Sequence, residues 1–511
     1  MSAVLAPLRW FYHEFGVDSL HGAGRNAYLV ITARSCRMFA YGTNALILAL
    51  FFAELKFSDF RIGLFMSLTL LGDVFLGMWL TLIADKVGRR RVMFLGSFLM
   101  VMSGFVFAVF ENFWILLLAA IVGVVSATGG DFGPFRAIEE SILSELTSPT
   151  TRSDVFTWYV TTSTLGSSIG SEASGRIIHY LHDGPEGWSL KDAYHTIFWV
   201  YTAMGVVNAL LVLLLTDACE LKRKDDAGGY SQVATQDVIE DEYETNSDTG
   251  AAPPKDDHDL SRSLFGRLQS QLSSISAPTR RVMYKLWVLL ALDSVADGMV
   301  PYSLTNYYVD NKFHPAKSTL GDVTSVAYFL GSISSIFAGP LARKIGLVST
   351  MVFTHTPSSA AVLLFPAPST FWMTAFLLFV RAGLNNMDQA PRSAFIAAVT
   401  KADERTAVMG ITNMLRTLAA MLGPSVTGAL AGNERFWVAF VVAGSCRLLY
   451  DFGLFIMFKN MPLHQHEDGA TGQRSDAGGR GRDEEEMDGD EMDDLPSPSE
   501  FSSGRSTPST R

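Results

Sequence analysis

The sequence predicts an all-α membrane protein with twelve transmembrane helices, arranged as two six-helix pseudo-symmetric halves. Three observations support this fold class: apolar blocks recur along the chain, a long polar segment divides them into two groups, and the two groups share sequence patterns. Each block is about 20 residues long, which is the length that a helix needs to cross the hydrocarbon core of a bilayer. A soluble protein of 511 residues would instead divide into several domains with polar surfaces.

The apolar blocks and the charged residues that bound them place the spans. The N-terminal half covers residues 36–216 and the C-terminal half covers residues 284–458. The spans are expected at residues 36–55, 60–83, 92–110, 113–133, 154–178, 195–216, 284–309, 320–341, 347–366, 370–390, 406–430 and 435–458. An even number of spans places both termini on the same side of the membrane.

Lysine and arginine residues indicate which side that is. They are concentrated in alternate connections between the spans, and the members of this set are Lys86, Arg89, Arg90, Arg91, Arg136, Arg152, Arg343, Lys344, Arg392, Lys401 and Arg405. Because basic loops are retained in the cytoplasm, both termini are expected to be cytoplasmic. The choice between the plasma membrane and a vacuolar-type membrane stays open.

Three polar segments flank or separate the spans. Residues 1–35 are expected to form a cytoplasmic N-terminal segment, residues 217–283 an acidic connector between the halves, and residues 459–511 a disordered acidic tail. Leucines spaced four residues apart predict an amphipathic helix near residues 260–276, which would lie on the inner membrane face or pack on cytoplasmic loops. The connector and the tail are candidate binding sites for cytosolic partners or kinases.

Composition excludes several classes of function. The formal net charge of -11 arises mainly from the connector and the tail, so it gives no reason to expect a nucleic-acid partner. Cys36, Cys219 and Cys446 are far apart and form no disulfide or zinc pattern. The histidines show no metal-ligand spacing, and no nucleotide-binding or nucleophile motif occurs. The sequence therefore predicts neither an enzyme nor a requirement for a cofactor or metal.

The two halves contain an internal repeat. The stretch DFGPFRA at residues 131–137 parallels DQAPRSA at residues 388–394, and residues 152–175 align without gaps to residues 405–428. The charged, glycine and proline positions keep their register in these alignments. Two six-helix repeats around a central axis place a substrate site near the middle of the membrane, between the halves.

A basic loop, ADKVGRRR at residues 84–91, follows the predicted second span. It resembles the signature loop of the major facilitator superfamily, G-x-x-x-D-[RK]-x-G-R-[RK], to which this chain contributes Asp85, Lys86, Gly88, Arg89 and Arg90. Thr81 stands at the position of the leading glycine. The resemblance covers about residues 30–460, and it implies the fold of that superfamily and solute transport by alternating access. It also implies that Asp85 faces the start of the eleventh span and gates transport, where a carboxylate gains about 0.3–1 kcal/mol from the helix N-terminus.

Ionisable side chains within the predicted spans are candidates for the substrate or proton pathway, because charge is costly at bilayer depth. They are Asp73, Asp293, Asp297, Arg381, Asp388 and Arg416. The alternative is mutual neutralisation, for example of Arg381 by Asp388 or of Arg37 by Asp293. Two further pairs are expected to be structural because their members lie one helical turn apart, namely Arg447 with Asp451 and Glu172 with Arg176.

These features predict a secondary active transporter of a small organic solute. Proton coupling is expected, with Asp73 or Asp297 as the carrier, because no nucleotide-binding loop or recognisable sodium site offers another energy source. Central arginines favour an anionic group on the solute. Two alternatives stay open: an uncoupled facilitator, and a non-transporting membrane sensor that uses a transporter body. The solute, the direction of transport and the oligomeric state are not predicted.

Overall fold

Helices make up nearly all of the chain that the structure describes. The computed structural model describes residues 17–123, 134–148, 151–185, 187–220, 275–400 and 404–459. No strand occurs within these ranges, and the prediction of an all-α protein is confirmed. The predicted helix near residues 260–276 and the tail lie almost entirely outside the described residues.

The described part of the N-terminal half runs from α1 to α8. Its helices are α1 (Val17–Gly22), α2 (Gly24–Glu54), α3 (Asp59–Val87), α4 (Arg89–Val109), α5 (Phe113–Val122), α6 (Pro134–Leu146), α7 (Arg152–Asp183) and α8 (Leu190–Leu213). A 3-10 turn at Asp217–Cys219 follows α8. Helix α2 begins well before residue 36, where the first span was expected to start.

The C-terminal half runs from α9 to α17. Its helices are α9 (Ala277–Met299), α10 (Tyr302–Phe313), α11 (Lys317–Ile345), α12 (Leu347–Leu364), α13 (Phe371–Asn385), α14 (Gln389–Val399), α15 (Arg405–Ala420), α16 (Leu422–Ala431) and α17 (Phe436–Phe458). A 3-10 turn at Asn386–Asp388 joins α13 to α14.

Length and composition identify six of the described helices as able to cross a membrane: α2, α4, α8, most of α11, α12 and α17. The second and fifth spans are the single long helices α3 and α7, whereas some other spans are divided between two helices. Pro301 precedes α10, and Pro391 and Pro424 lie in the first turns of α14 and α16. Because proline lacks an N–H donor, it is tolerated in a first turn and interrupts a longer helix. The seventh, tenth and eleventh spans are therefore each built from two helices.

The two halves repeat the same packing. In the N-terminal half, α2 packs against α7 and α8, and α4 packs against α8. In the C-terminal half, α9 packs against α15 and α17, and α12 packs against α17. The first, third, fifth and sixth spans thus correspond to the seventh, ninth, eleventh and twelfth. The prediction of two pseudo-symmetric halves is confirmed.

Glycines mark the same close approach in each half. A Cβ atom on Gly42 would lie 2.2 Å from the carbonyl oxygen of Ser167, and one on Gly298 would lie 2.0 Å from that of Ala420. Ser167 and Ala420 occupy equivalent positions in the aligned stretches of the sequence repeat. The sequence repeat is therefore also a repeat of backbone-to-backbone packing, which requires residues without side chains.

The halves touch each other at the far end of the bundle, defined here as the end at which α2 stops at Glu54 and α3 starts at Asp59. The Asn306 side chain donates a 3.0 Å hydrogen bond to the carbonyl oxygen of Ala45. The Tyr307 hydroxyl donates a 2.6 Å hydrogen bond to Asp59 Oδ1. Both bonds join α10 to the N-terminal half.

Two glycine pairs bring the halves into backbone contact near the same end. A Cβ atom on Gly63 of α3 would lie 2.9 Å from the Cα atom of Gly428 in α16. One on Gly175 of α7 would lie 2.9 Å from the Cα atom of Gly321 in α11. These helix pairs, α3 with α16 and α7 with α11, form an interface between the halves.

Candidate functional site

The C-terminal half holds a group of buried ionisable side chains, called here the C-half cluster. Its members come from α9, α12, α14, α17 and the 3-10 turn that joins α13 to α14, and they are Asp293, Asp297, His355, Asp388, Arg392, Arg447 and Asp451. All except Asp297 are buried. The Asp297 side chain is 36% exposed. Three of the six residues predicted for the substrate or proton pathway therefore lie in one connected site.

Helix geometry explains how two helices each supply a pair of charges. Asp293 and Asp297 lie one turn apart on α9, and Arg447 and Asp451 lie one turn apart on α17, so each pair projects from one face. Those faces meet because α9 packs against α17. The site is thus a consequence of two four-residue spacings brought together by helix packing.

His355 lies at the centre of the C-half cluster. Its Nδ1 atom lies 2.7 Å from Asp451 Oδ1, and its Nε2 atom lies 2.8 Å from Arg447 Nη2. Because a guanidinium only donates hydrogen bonds, Nε2 must accept, and the proton of the neutral ring is assigned to Nδ1, which donates to Asp451. The hydroxyl of Ser359 donates a 2.8 Å hydrogen bond to the other oxygen of Asp451.

Arg447 connects His355 to the more exposed side of the cluster. Its Nη1 atom donates a 2.9 Å hydrogen bond to Asp297 Oδ1, and its Nη2 atom also donates to Asn385. The expected pair of Arg447 with Asp451 is therefore wrong. The two side chains share a helix face that points at neighbouring helices, and there each one finds a different partner. The other expected pair, Arg176 with Glu172, is confirmed at 2.8 Å.

Asp293 is incompletely satisfied. Neither of its carboxylate oxygens receives a hydrogen bond from the residues that the structure describes, although the side chain is buried. Arg392 Nη1 lies 3.6 Å from Oδ2, and His355 Nε2 lies 3.7 Å from Oδ1. Arg392 approaches Asp388 more closely, at 3.1 Å. A buried carboxylate without a donor is costly, so Asp293 is poised to accept one.

The two predicted arginines outside the cluster have separate partners. Arg381 donates to Thr305 Oγ1 at 3.1 Å and to the carbonyl oxygen of Val300 at 2.5 Å. It thereby satisfies an acceptor that the break between α9 and α10 leaves free, so the proposed neutralisation of Arg381 by Asp388 is wrong. Arg416 is half-buried, and its Nε atom donates a 3.3 Å hydrogen bond to Ser294 Oγ.

The N-terminal half contains a second buried ion pair. Both Arg37 nitrogens Nη1 and Nη2 donate 2.9 Å hydrogen bonds to the carboxylate of Glu139. The hydroxyl of Tyr159 donates to Glu139 at 2.9 Å, and Arg34 donates to that hydroxyl. The alternative pairing of Arg37 with Asp293 is therefore wrong. Asp73, the remaining candidate, is buried in α3 at 5% exposure.

The signature loop lies at the connector end of the bundle, defined here as the end at which residues 216–220 follow α8. Gly88 has a φ of +107°, which glycine tolerates, and it precedes α4. The carboxylate of Glu220 accepts hydrogen bonds from the backbone N–H groups of Arg89 at 2.7 Å and Arg90 at 3.2 Å. A residue of the predicted connector thus caps α4. The side chains of Asp85 and Lys86 lie outside the described residues.

Further contacts hold the signature loop in place. Arg89 pairs with Glu145 of α6 at 2.8 Å, and Arg90 donates to Asp217. Cys219 is buried beside these groups, and burial raises the pKa of its thiol to about 11.

Sequence reasoning missed His355 and Glu139 as site residues. A single histidine among threonines and serines in an apolar span carries no spacing signal. Its one clue is Ser359, four residues later and on the same helix face. Glu139 lies just after the predicted fourth span, and the sequence does not show that α6 turns this carboxylate toward α2.

Sequence comparison identifies relatives of this chain. A profile described as Major Facilitator Superfamily matches residues 30–270 and 286–482. An uncharacterised membrane protein of Saccharomyces cerevisiae is 30% identical over 437 residues, which cover 85% of this chain and 94% of the relative. The class B tetracycline resistance protein of Escherichia coli is 21% identical over 365 residues, which cover 71% of this chain and 77% of that protein.

Solved structures share the fold at low identity. The nucleoside transporter NupG has a TM-score of 0.60 at 13% identity, and the match covers 86% of this chain and 100% of that one. The human organic anion transporter MFSD10 has a TM-score of 0.55 at 17% identity, with 84% and 100% covered. The two-half packing, the signature loop and the sequence match agree: this chain belongs to the Major Facilitator Superfamily.

Proposed function

We propose that this chain is a proton-coupled secondary transporter that moves a small organic solute by alternating access. The observation that carries the proposal is the C-half cluster, in which six of seven ionisable side chains are buried within one half. Burying charge costs free energy even when ions pair, and apolar residues of similar volume would often hold the helices together as well. A chain that keeps such a cluster is expected to use it.

The contacts between the halves support alternating access. Several hydrogen bonds that link the two halves lie toward the far end, as at Asn306 with Ala45 and Ser425 with Ser67. Glycine-to-glycine contacts reinforce the same region. Small residues let helices approach closely and also separate without dragging large side chains past each other. We assign this arrangement to a state closed at the far end, with the connector end on the cytoplasmic side.

Three further residues are assigned to the solute path. Arg416 is half-buried on α15, and its one hydrogen bond to the described residues, with Ser294, leaves guanidinium donors for an anionic group on the solute. Asp73 on α3 and Arg381 on α13 lie on spans that border the space between the halves in this superfamily. The tetracycline resistance relative supports an organic solute, at low sequence identity.

The experiment is uptake by purified protein in proteoliposomes, with a deproteinised cell extract as the probe. Compounds inside the vesicles are identified by mass spectrometry, with and without a pH gradient, and protein-free liposomes provide the background. Coupled transport predicts that at least one compound accumulates above its external concentration only when the gradient is present. Absence of enrichment over protein-free liposomes under every condition contradicts transport. Equal equilibration with and without the gradient identifies an uncoupled facilitator instead.

The non-transporting sensor makes a different prediction. Its output would depend on the connector and the tail, whereas transport depends on the helices. Deletion of residues 463–511 should leave uptake unchanged if the chain is a transporter. The contact between Glu220 and the signature loop lies within the retained part, so this deletion leaves the docked start of the connector intact.

A further inference from the structure

We propose that His355 is the proton-binding group of this transporter, and that a proton on its Nε2 atom releases Arg447. The inference rests on the proposed proton-coupled transport and names the side chain at which coupling occurs. Sequence reasoning assigned this role to Asp73 or Asp297. The hydrogen-bond pattern around His355 points to a different residue.

The neutral imidazole has both ring nitrogens engaged. Nδ1–H donates to Asp451, and Nε2 accepts from Arg447 Nη2 at 2.8 Å. The ring therefore has one position at which a proton can add, the lone pair of Nε2. That position is occupied by a donor from Arg447, so protonation and this hydrogen bond exclude each other.

The protonated imidazole has a different acceptor within reach. A proton taken from the aqueous phase converts Nε2 into a second N–H donor, which cannot face the Arg447 N–H at 2.8 Å. Asp293 Oδ1 lies 3.7 Å from Nε2, and both Asp293 oxygens lack a donor among the described residues. A small rotation of the ring or of the Asp293 side chain brings Nε2 and Oδ1 within hydrogen-bond distance. The structure thus offers Nε2 a hydrogen-bond partner in both protonation states: Arg447 as donor to the neutral ring and Asp293 as acceptor from the protonated ring.

The surrounding charges favour the extra proton. With its carboxylates ionised and His355 neutral, the C-half cluster has four negative groups and two guanidinium groups, Arg392 and Arg447. This net negative charge offsets the cost of a protonated imidazole that is buried beside Arg447. Other groups facing the ring are polar: Ser359 on the same helix, Asn385 through Arg447, and the edge-on ring of Tyr450 at 5.5 Å. Arg416 and Arg381 flank α9 through their bonds to Ser294 and Val300.

Release of Arg447 changes the contacts between helices, and protonation of His355 thereby affects their packing. Arg447 joins α17 to Asp297 of α9 and to Asn385 of α13, and Asp297 is the one member of the cluster that is not buried. When His355 no longer accepts from Nη2, the partners of the guanidinium that remain among the described residues are Asp297 and Asn385. The bond network between α17, α9 and α12 therefore depends on the proton, which is the bistable element that coupling requires.

The test follows conformation directly, so it needs no known solute. Spin labels replace Ser148 and Lys344, two exposed residues on opposite halves at the connector end, in a background with Cys36, Cys219 and Cys446 replaced by alanine. Distance distributions are measured in lipid nanodiscs from pH 5 to pH 8.5. The labelled background is expected to shift between two distance populations with a single titration midpoint.

Three variants locate the titrating group. His355→Gln keeps an oxygen that can accept from Arg447 but cannot bind a proton, so the pH response should be lost. Asp451→Asn removes the carboxylate that faces Nδ1–H, so the midpoint should fall by about one pH unit or more. His179→Gln is the matched control, since His179 is exposed and pairs with Asp183 outside the cluster. It should titrate like the labelled background.

Several results would overturn the inference. The first is that the labelled background does not respond to pH, and the second is that His355→Gln keeps the full response. The third is that the response is lost in Asp73→Asn or Asp297→Asn but kept in His355→Gln. If His355→Gln fails to purify, an unmoved midpoint in Asp451→Asn has the same force. Uptake from the cell extract is measured in parallel. If uptake occurs and His355→Gln titrates like the labelled background, only the assignment of the proton site is contradicted. If the variants titrate as expected but no uptake occurs, only the transport proposal is contradicted.

Discussion

Arg37 and Asp293 occupy equivalent positions in the two halves and have opposite charges. Each lies five residues before the glycine, Gly42 or Gly298, at which the backbones touch in its half. Arg37 pairs with Glu139 of α6, and Asp293 faces Arg392 of α14 at 3.6 Å. The two positions related by the repeat therefore carry opposite charges, and each faces an opposite charge from its own half.

The pair in the N-terminal half should be essential for folding. Glu139→Gln leaves Arg34 and Arg37 buried without their shared carboxylate, which should cost about 3–5 kcal/mol. Glu140→Gln is the control, because the adjacent Glu140 pairs with Arg136 at the surface. Thermal unfolding in detergent should show a large decrease in Tm for Glu139→Gln and almost none for Glu140→Gln. Equal Tm values for the two variants would mean that the buried pair is dispensable.

Arg447 should be the most sensitive position of the C-half cluster. Arg447→Met removes the donor shared by Asp297, His355 and Asn385 and leaves excess negative charge in the site, which should destabilise the fold by about 3–5 kcal/mol. Arg176→Met is the matched control: its ion pairs with Glu172 and Asp322 are exposed, so its thermal stability should not change measurably. A wild-type Tm for Arg447→Met would contradict a structural role for the cluster.

The connector should control access to Cys219. Burial raises the pKa of this thiol to about 11, so its thiolate is scarce at neutral pH and maleimide labelling should be slow. Glu220→Gln weakens the cap on α4 that holds the adjacent backbone in place, so it should accelerate labelling severalfold. The rate is measured with Cys36 and Cys446 replaced by alanine.

A distant carboxylate provides the control for that labelling. Glu111→Gln, at the far end, removes an ion pair with Lys191 and should leave the rate unchanged. If Glu220→Gln labels no faster than its parent, residues 217–220 are held by contacts other than this cap.

Closure at the far end should depend on Gly63. An added Cβ atom would lie 2.1 Å from the carbonyl oxygen of Pro424 and 2.9 Å from Gly428 Cα, so Gly63→Ala must push α3 away from α16. Spin labels at Arg61 and Asn433, which are exposed on opposite halves, should report longer distances. Gly410→Ala is the control, since nothing lies within 4 Å of the added atom. Unchanged distances in Gly63→Ala would contradict the assigned closed interface.

Much of the architecture could be predicted from the sequence. The length of each apolar block follows from bilayer thickness, and the register of the repeat in residues 152–175 and 405–428 follows from backbone contacts that only small residues permit. Asp293 and Asp297 could be selected as functional candidates because charge at bilayer depth is costly wherever it occurs.

The partners of those charges were decided by the tertiary structure. A four-residue spacing on α17 places Arg447 and Asp451 on one face, and it predicted that they would bind each other. In the fold, that face meets α9 and α12, so Arg447 binds Asp297 and Asp451 binds His355. Periodicity determines the direction in which a side chain leaves its own helix. The identity of the group it meets depends on contacts between segments far apart in the chain, which are set by the packing of the whole bundle.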